Sequence, residues 1–289
     1  MEGNARDILT PIEGGSPIIL EEGRYSIKAS PMREILEITV APDHPHAQEM
    51  VGIRGGGASR IALGRIMGSI TGAPLYQILD DFAGASLVSG WVGLMWAEDW
   101  MKRMSEGSSH QKSRTMVDVC TGFAKGASSL TADGGPDSRG QSRTEVGSLV
   151  NPNDPQGWHH LPDQVGPRFR RARRIDIWKD GGHIHCDVGF QDSGSNPDGT
   201  RTAVHEYHVA VIVDPDDMTV NSLKATPHIL PYRECPGAVA NIQKLIGHPV
   251  KGFRQDVLDA LPGILGCTHL NDVLRALADV PILSEHLDR

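Results

Sequence analysis

A chain of 289 residues, 39% hydrophobic and 22% charged, has room for one large domain or two of ordinary size with a substantial core. Its formal net charge of −8 argues against general nucleic-acid binding and against docking on anionic membranes. No apolar run reaches the roughly 18–20 residues that span a bilayer, and no secretory leader is recognisable. The four cysteines Cys120, Cys186, Cys235 and Cys267 are too sparse for a secreted scaffold, so a reducing cytoplasm is the expected setting.

Along the chain, Asp7–Pro11, Ser16–Leu20, Arg24–Ala29 and Glu34–Val40 read as short strands, broken at Gly14-Gly15, Glu22-Gly23 and Ser30-Pro31. Helical spacing follows over Ala58–Met67 and Pro74–Phe82. The turn Arg54-Gly55-Gly56-Gly57 lacks a Walker lysine and the complete dinucleotide fingerprint, and Gly-x-Ser-x-Gly is absent from the chain. Residues 86–104 are rich in Trp and Met. Trp96 and Trp100 stand four apart, where they would wall a pocket for an aromatic ligand. From 105 to 167, Gly, Ser, Asp, Pro and Asn dominate, as expected of a loop-rich connector draped over a core. Strand patterning then restarts at Arg173–Trp178, His183–Gln191, Ala203–Val213 and Thr219–Ala225. Helices are expected at Gly237–Ile246, Gly252–Leu261 and Leu270–Ala278, the last with Thr268 as its N-cap.

The two halves share a register. Sliding residues 49–88 onto 244–283 without a gap aligns Gly52 with Gly247, Gly57 with Gly252, Gly68 with Gly263, and Leu75 with Leu270. Apolar positions follow suit, and upstream Tyr25-Ser26-Ile27 parallels Tyr207-His208-Val209. An internal duplication is expected. The fold class is then α+β, each half a small antiparallel sheet followed by helices, with a first repeat at 1–104, a connector at 105–167 and a second repeat at 168–289. About ten extra residues, near Leu230–Pro236, are peculiar to the second repeat.

From about Arg168 to Leu283 the chain resembles a bacterial domain family known only as a domain of unknown function. The residues carrying the likeness are the arginine-rich entry strand, Asp187, Asp192, Pro236 after Cys235, and above all Gly266-Cys267-Thr268-His269-Leu270. The whole chain looks like a longer subgroup with an added N-terminal half. The resemblance implies no activity, so chemistry has to come from the residues.

Two constellations stand out. Side chains alternate along a strand, so His183, His185 and Asp187 share one face and are the weaker, metal-binding alternative. Cys235, Cys267 and His269 form the second group, with His269 at a helix start where the positive dipole end favours a neutral imidazole. The leading expectation is a cofactor-independent acid–base enzyme, a lyase, isomerase or dehydratase acting on a small apolar or aromatic metabolite. His269, His205 and Tyr232 are the expected acid–base groups, Asp187 orients an imidazole, and Arg174 binds an anionic or phenolic oxygen. Trp96, Trp100, Cys235 and Cys267 would contact substrate in a pocket between the halves. The partner is a small molecule, with neither nucleic acid nor membrane; homo-oligomerisation stays open. A metal-dependent hydrolase and a non-catalytic binding or assembly module are the alternatives.

Overall fold

A computed structural model describes residues 1–12, 14–97, 116–137, 141–142, 144–159 and 165–288. The chain forms two compact units. One comprises Met1–Gly90 with Val150–Asp163, and the other Trp91–Leu149 with Gln164–Arg289. The loop-rich stretch between the repeats is thus shared by both.

In the first unit, β1 (Glu2–Leu9), β2 (Ile18–Ala29) and β3 (Ile35–Ala41) make an antiparallel meander. The helices α1 (Gly57–Ile66) and α2 (Pro74–Val88) follow, and Pro74 lies in the first turn of α2, where its missing N–H needs no partner. Tyr25, Ile27, Ile35 and Ile38 from the sheet pack with Leu63, Leu75, Leu79 and Phe82 from the helices. The expected break at Glu22-Gly23 does not occur, and β2 runs straight through it. Gly23 is there for packing: a Cβ at this position would lie 2.3 Å from the backbone nitrogen of Leu75.

The second unit begins at Trp91, the second residue of α3 (Gly90–Trp96). Its sheet has five strands: β4 (Thr144–Glu145), β5 (Phe169–Asp180), β6 (His183–Ser195), β7 (Arg201–Val213) and β8 (Val220–Ile229). The order is β4-β7-β6-β5, with β8 also paired to β7. Ile184, Cys186, Val188 and Phe190 alternate onto one face of β6 and are buried under the C-terminal helices. Those helices are α4 (Phe253–Ala260), α5 (Thr268–Ala276) and α6 (Val280–Ser284). The stretch expected to be helical over Gly237–Ile246 is instead a 3-10 run, Cys235–Leu245.

Both halves are α+β, with β1-β2-β3 and the helices after them matching β6-β7-β8 and theirs, and the agreement extends to irregularities. The β1–β2 ladder slips just after Asp7↔Glu21, and the β6–β7 ladder just after Asp192↔His205. The β2–β3 ladder slips after Lys28↔Glu37, and the β7–β8 ladder after Ile212↔Ser222. Bridges Glu34↔Arg54 and Thr219↔Pro249 close the two sheets in the same way. Gly52 and Gly247 both have φ +84°, and their amides bond the carbonyls of Ile35 and Val220, at 2.8 and 2.9 Å. Short 3-10 turns at Gly68–Ile70 and Gly263–Leu265 correspond as well. These pairings correct one detail. Tyr25, opposite Val40, matches Val209, opposite Ala225, so the structural counterpart of Tyr207 is Gly23 and not Tyr25.

Candidate functional site

Within the second unit, strand and helix residues converge at the start of α5. Phe190 and Asp192 share one face of β6, so the alternation that builds the apolar core also carries a carboxylate into it. Neighbouring β7 places His205 opposite Asp192 and Tyr207 opposite Phe190. Helix α5 supplies Cys267 as its N-cap, so the cap is one residue earlier than expected; Thr268 is the first helical residue. His269 follows on its first turn and Asp272 at the start of the second.

A fully buried carboxylate demands a partner, and β5 provides it. Arg171 grips Asp192 through two parallel bonds, Nε to Oδ1 at 2.9 Å and Nη2 to Oδ2 at 2.7 Å. Its Nη1 reaches Asp272 Oδ2 at 2.8 Å, and its guanidinium lies 5.0 Å from the Phe190 ring centroid. This is a rigid, charge-paired floor.

Above it, His205 and His269 stack face to face, centroids 3.4 Å apart and planes 12° from parallel. His269 Nδ1 lies 3.9 Å from Cys267 Sγ, and its Nε2 approaches Asp192 Oδ2 at 3.4 Å without closing a hydrogen bond. His205 Nδ1 and His269 Nε2 are buried with no hydrogen-bond partner among the described residues, and the buried Tyr207 hydroxyl faces Cys267. Burial pushes the His269 pKa down to about 4; Asp192 pulls upward against it, and Arg171 reinforces the fall. Burial, His269 and Arg171 all drive His205 well below the ordinary imidazole range. Both rings are therefore neutral near neutral pH. Burial also raises the Cys267 thiol, against the pull of Tyr207 and the nearby N–H groups of Leu270 and His269. The resting site consequently holds a thiol rather than a thiolate–imidazolium pair.

The donor atoms of His205, Cys267 and His269 all lie within 4.8 Å of one another, close enough to suggest a metal. Their directions are less suitable. Two imidazoles on one tetrahedral ion, at bonds of about 2.0–2.1 Å, hold their centroids about 5 Å apart, so the observed stack would have to open first.

Other expected site residues lie elsewhere. Asp187 does orient an imidazole, but it is that of His208, Nε2 to Oδ2 at 2.7 Å, and both sit on the sheet face opposite to Asp192 and His205. Arg174 shares that outer face, bonding Asp187 at 2.7 Å, the Leu149 carbonyl at 2.9 Å, and Asp176. All three of its guanidinium nitrogens are engaged by the protein. Tyr232 donates to the Asp137 carbonyl at 3.0 Å, and Cys235 lies against Gly122. Trp96 donates to the Ser195 carbonyl at 2.7 Å, fastening α3 to the end of β6; Trp100 lies outside the described residues. His183 and His185 contact the carbonyls of Gly181 and Asp180, each at 3.2 Å, and His185 stacks on Trp178. With Asp187 bound to His208 and Arg174, the alternative metal trio is not brought together.

Sequence reasoning reached His269, His205 and Cys267 and missed the roles of Arg171, Asp192 and Tyr207. The available signal was Asp192 itself, a charge at a position that the period-two pattern assigns to the core. The first unit bears an open groove of about 520 Å³ over its sheet, lined by Arg6, Glu22, Arg24 and Tyr25 among others. The histidine pair belongs to the other unit.

Residues 169–283, from the first residue of β5 into α6, match a family model described as Protein of unknown function (DUF2889). All the residues of the stacked-histidine site fall inside that match. No curated protein and no solved structure matches the chain. Among the described residues, no helix is long and apolar enough to cross a membrane.

Proposed function

We propose that the chain is an enzyme of the proton-transfer class, a lyase, isomerase or dehydratase acting on a small apolar metabolite, with His205 and His269 as the groups that handle the proton. The observation carrying this reading is the buried, neutral imidazole pair with a ring nitrogen on each that closes no hydrogen bond among the described residues. An unsatisfied buried polar group costs about 1–3 kcal/mol, so two in one stack are a destabilisation that folding alone does not justify. A neutral imidazole offers one lone pair and one N–H. Two together can accept a proton from one substrate atom and donate one to another, without creating charge in the resting site. Asp192, fixed by Arg171, stabilises the imidazolium that forms when His269 takes the proton. Cys267 and Tyr207 supply uncharged surroundings, in keeping with an apolar substrate. The stretch Gly266–Leu270 is accordingly read as the functional signature of the matched domain.

The duplication supports the same reading. In the first half the positions of Asp192, His205, Cys267 and His269 are taken by Asp7, Glu21, Gly72 and Pro74. The shared framework stands without the imidazoles and thiol, which therefore answer to something other than folding.

The test works without the substrate being identified first. A panel of small apolar and aromatic metabolites is incubated with the protein in heavy water and followed by mass spectrometry. A proton-transfer enzyme adds deuterium, loses water or rearranges at least one of them. His269→Gln and His205→Gln should each lower that rate about 10²-fold or more with unchanged thermal stability. If every metabolite stays unaltered, or both variants retain full rate, the proposal fails.

A metal-dependent hydrolase is the second reading, favoured by the proximity of the His205, Cys267 and His269 donors. It requires about one zinc-class ion per purified chain, and activity lost on chelation and restored by metal.

A further inference from the structure

The groups of the histidine site are sealed from solvent, and the seal has an identifiable part. His205, Cys267 and His269 are 7%, 3% and 8% exposed, so a metabolite reaches them only if something moves. Residues 116–137 lie across the start of α5. Thr121 donates its backbone N–H to the Gly266 carbonyl at 2.9 Å and its hydroxyl to the Ile264 carbonyl at 2.8 Å. Burial, with a smaller push from Cys267, raises the thiol pKa of Cys120, the residue before it, to about 11.

Close seating of this segment depends on three glycines. A Cβ on Gly122 would come within 2.6 Å of Cys235 Sγ, one on Gly237 within 3.0 Å of the Thr121 methyl, and one on Gly263 within 3.1 Å of the Asp118 carbonyl. The first-half counterpart of Gly263 is Gly68, where a Cβ would meet nothing within 4 Å. Among the described residues, then, nothing seats on Gly68 as the segment seats on Gly263.

The residues peculiar to the second repeat hold the cover down. Glu234 accepts from the Ser128 backbone N–H at 3.0 Å and from its hydroxyl at 2.8 Å. Tyr232 donates to Asp137, and its ring meets Phe123 edge to face, centroids 5.7 Å apart. Both contacts reach from the insertion to the covering segment. The segment itself is built of turns and one short 3-10 turn, Thr121–Phe123, so releasing it breaks no regular ladder.

We infer that residues 116–137 form a strap that opens to admit substrate to the His205–His269 pair, with Glu234 and its bonds to Ser128 as the latch. The inference rests on the reading of that pair as a working site, and it gives the insertion at 230–235 a purpose that symmetric packing does not.

The experiment reads access rather than turnover, so it can fail while the catalytic reading stands, and the reverse. The full chain is treated with a maleimide under native conditions, and each cysteine is quantified by peptide mass spectrometry. Two variants weaken the strap independently: Glu234→Ala removes the latch, and Gly122→Ala disturbs the seat against Cys235. Each should raise the labelling rate of Cys267 about tenfold or more, the order expected for losing a charge-assisted hydrogen-bond pair. Cys186, buried in the sheet core, should stay as protected as in the parent chain. Unchanged Cys267 labelling in both variants overturns the strap. So does a parallel rise at Cys186, which would mean that Cys267 is reached by global unfolding.

Discussion

At the scale of single residues, the charged groups divide between the two faces of the second sheet. Asp187 on the outer face is pushed up by burial, but the bonds and charges of His208 and Arg174 outweigh that and leave its pKa below the usual carboxylate value. A carboxyl with a depressed folded pKa contributes stability above its unfolded value, near 3.9, and the contribution disappears as pH falls through the folded pKa. Asp187→Asn should therefore lower Tm near neutral pH, and the gap between variant and parent should close as the solution is acidified below about pH 4. The groups facing Asp187 are His208, Arg174 and, through Arg174, Asp176. A gap that stays constant across the acid range would show that the pairing carries no linked stability. The carboxylate–imidazole contact expected of Asp187 does exist, yet with His208. Alternation along β6 and β7 could have excluded His205 as its partner, since Asp187 and His205 point to opposite faces once Asp192 pairs with His205. Register between strands was the missing quantity, and no single sequence fixes it across a bulge such as that at Asp192/Ser193.

At the scale of elements, Gly23 and Tyr207 occupy the same place in the two halves and do opposite things. Gly23 lets the backbone of Leu75 at the start of α2 sit directly on β2. Tyr207 instead puts a buried phenol beside Cys267 at the start of α5. Gly23→Ala should push α2 off its sheet and destabilise the first unit by about 1–3 kcal/mol, seen as a lower denaturant midpoint at constant m-value. A variant as stable as the parent would mean that β2 and α2 separate at no cost. The expected break at Gly23 failed for this reason: glycine read as a turn signal was a contact signal. The helices were more legible. The spacing over Ala58–Met67 and the proline opening at Pro74 correspond to α1 and α2 within a residue at their starts. The 3-10 geometry of Cys235–Leu245 was not, because apolar spacing alone does not distinguish three residues per turn from 3.6.

At the scale of the whole molecule, the chain uses one α+β framework twice and equips only the second copy. The glycine register between 49–88 and 244–283 was legible in the sequence, because the turns it serves need left-handed backbone at Gly52 and Gly247 in both halves. Not legible there were the contributions from outside the repeat: Arg171 from β5, which has no first-half counterpart, and the segment around Thr121 that covers the start of α5. The bond from Arg171 to Asp272 joins residues 101 positions apart and that from Thr121 to Gly266 residues 145 apart, where spacing carries no signal. The functional reading as a whole depends on the state of two rings. Nitrogen-15 NMR of histidine-labelled protein reports the charge and tautomer of each imidazole directly, with His205→Gln and His269→Gln assigning the signals. His205 and His269 should both be neutral near neutral pH, and His269 should gain its proton only as the pH approaches about 4. A cationic ring at either position near neutral pH would contradict the neutral pair and, with it, the proposed proton-transfer site.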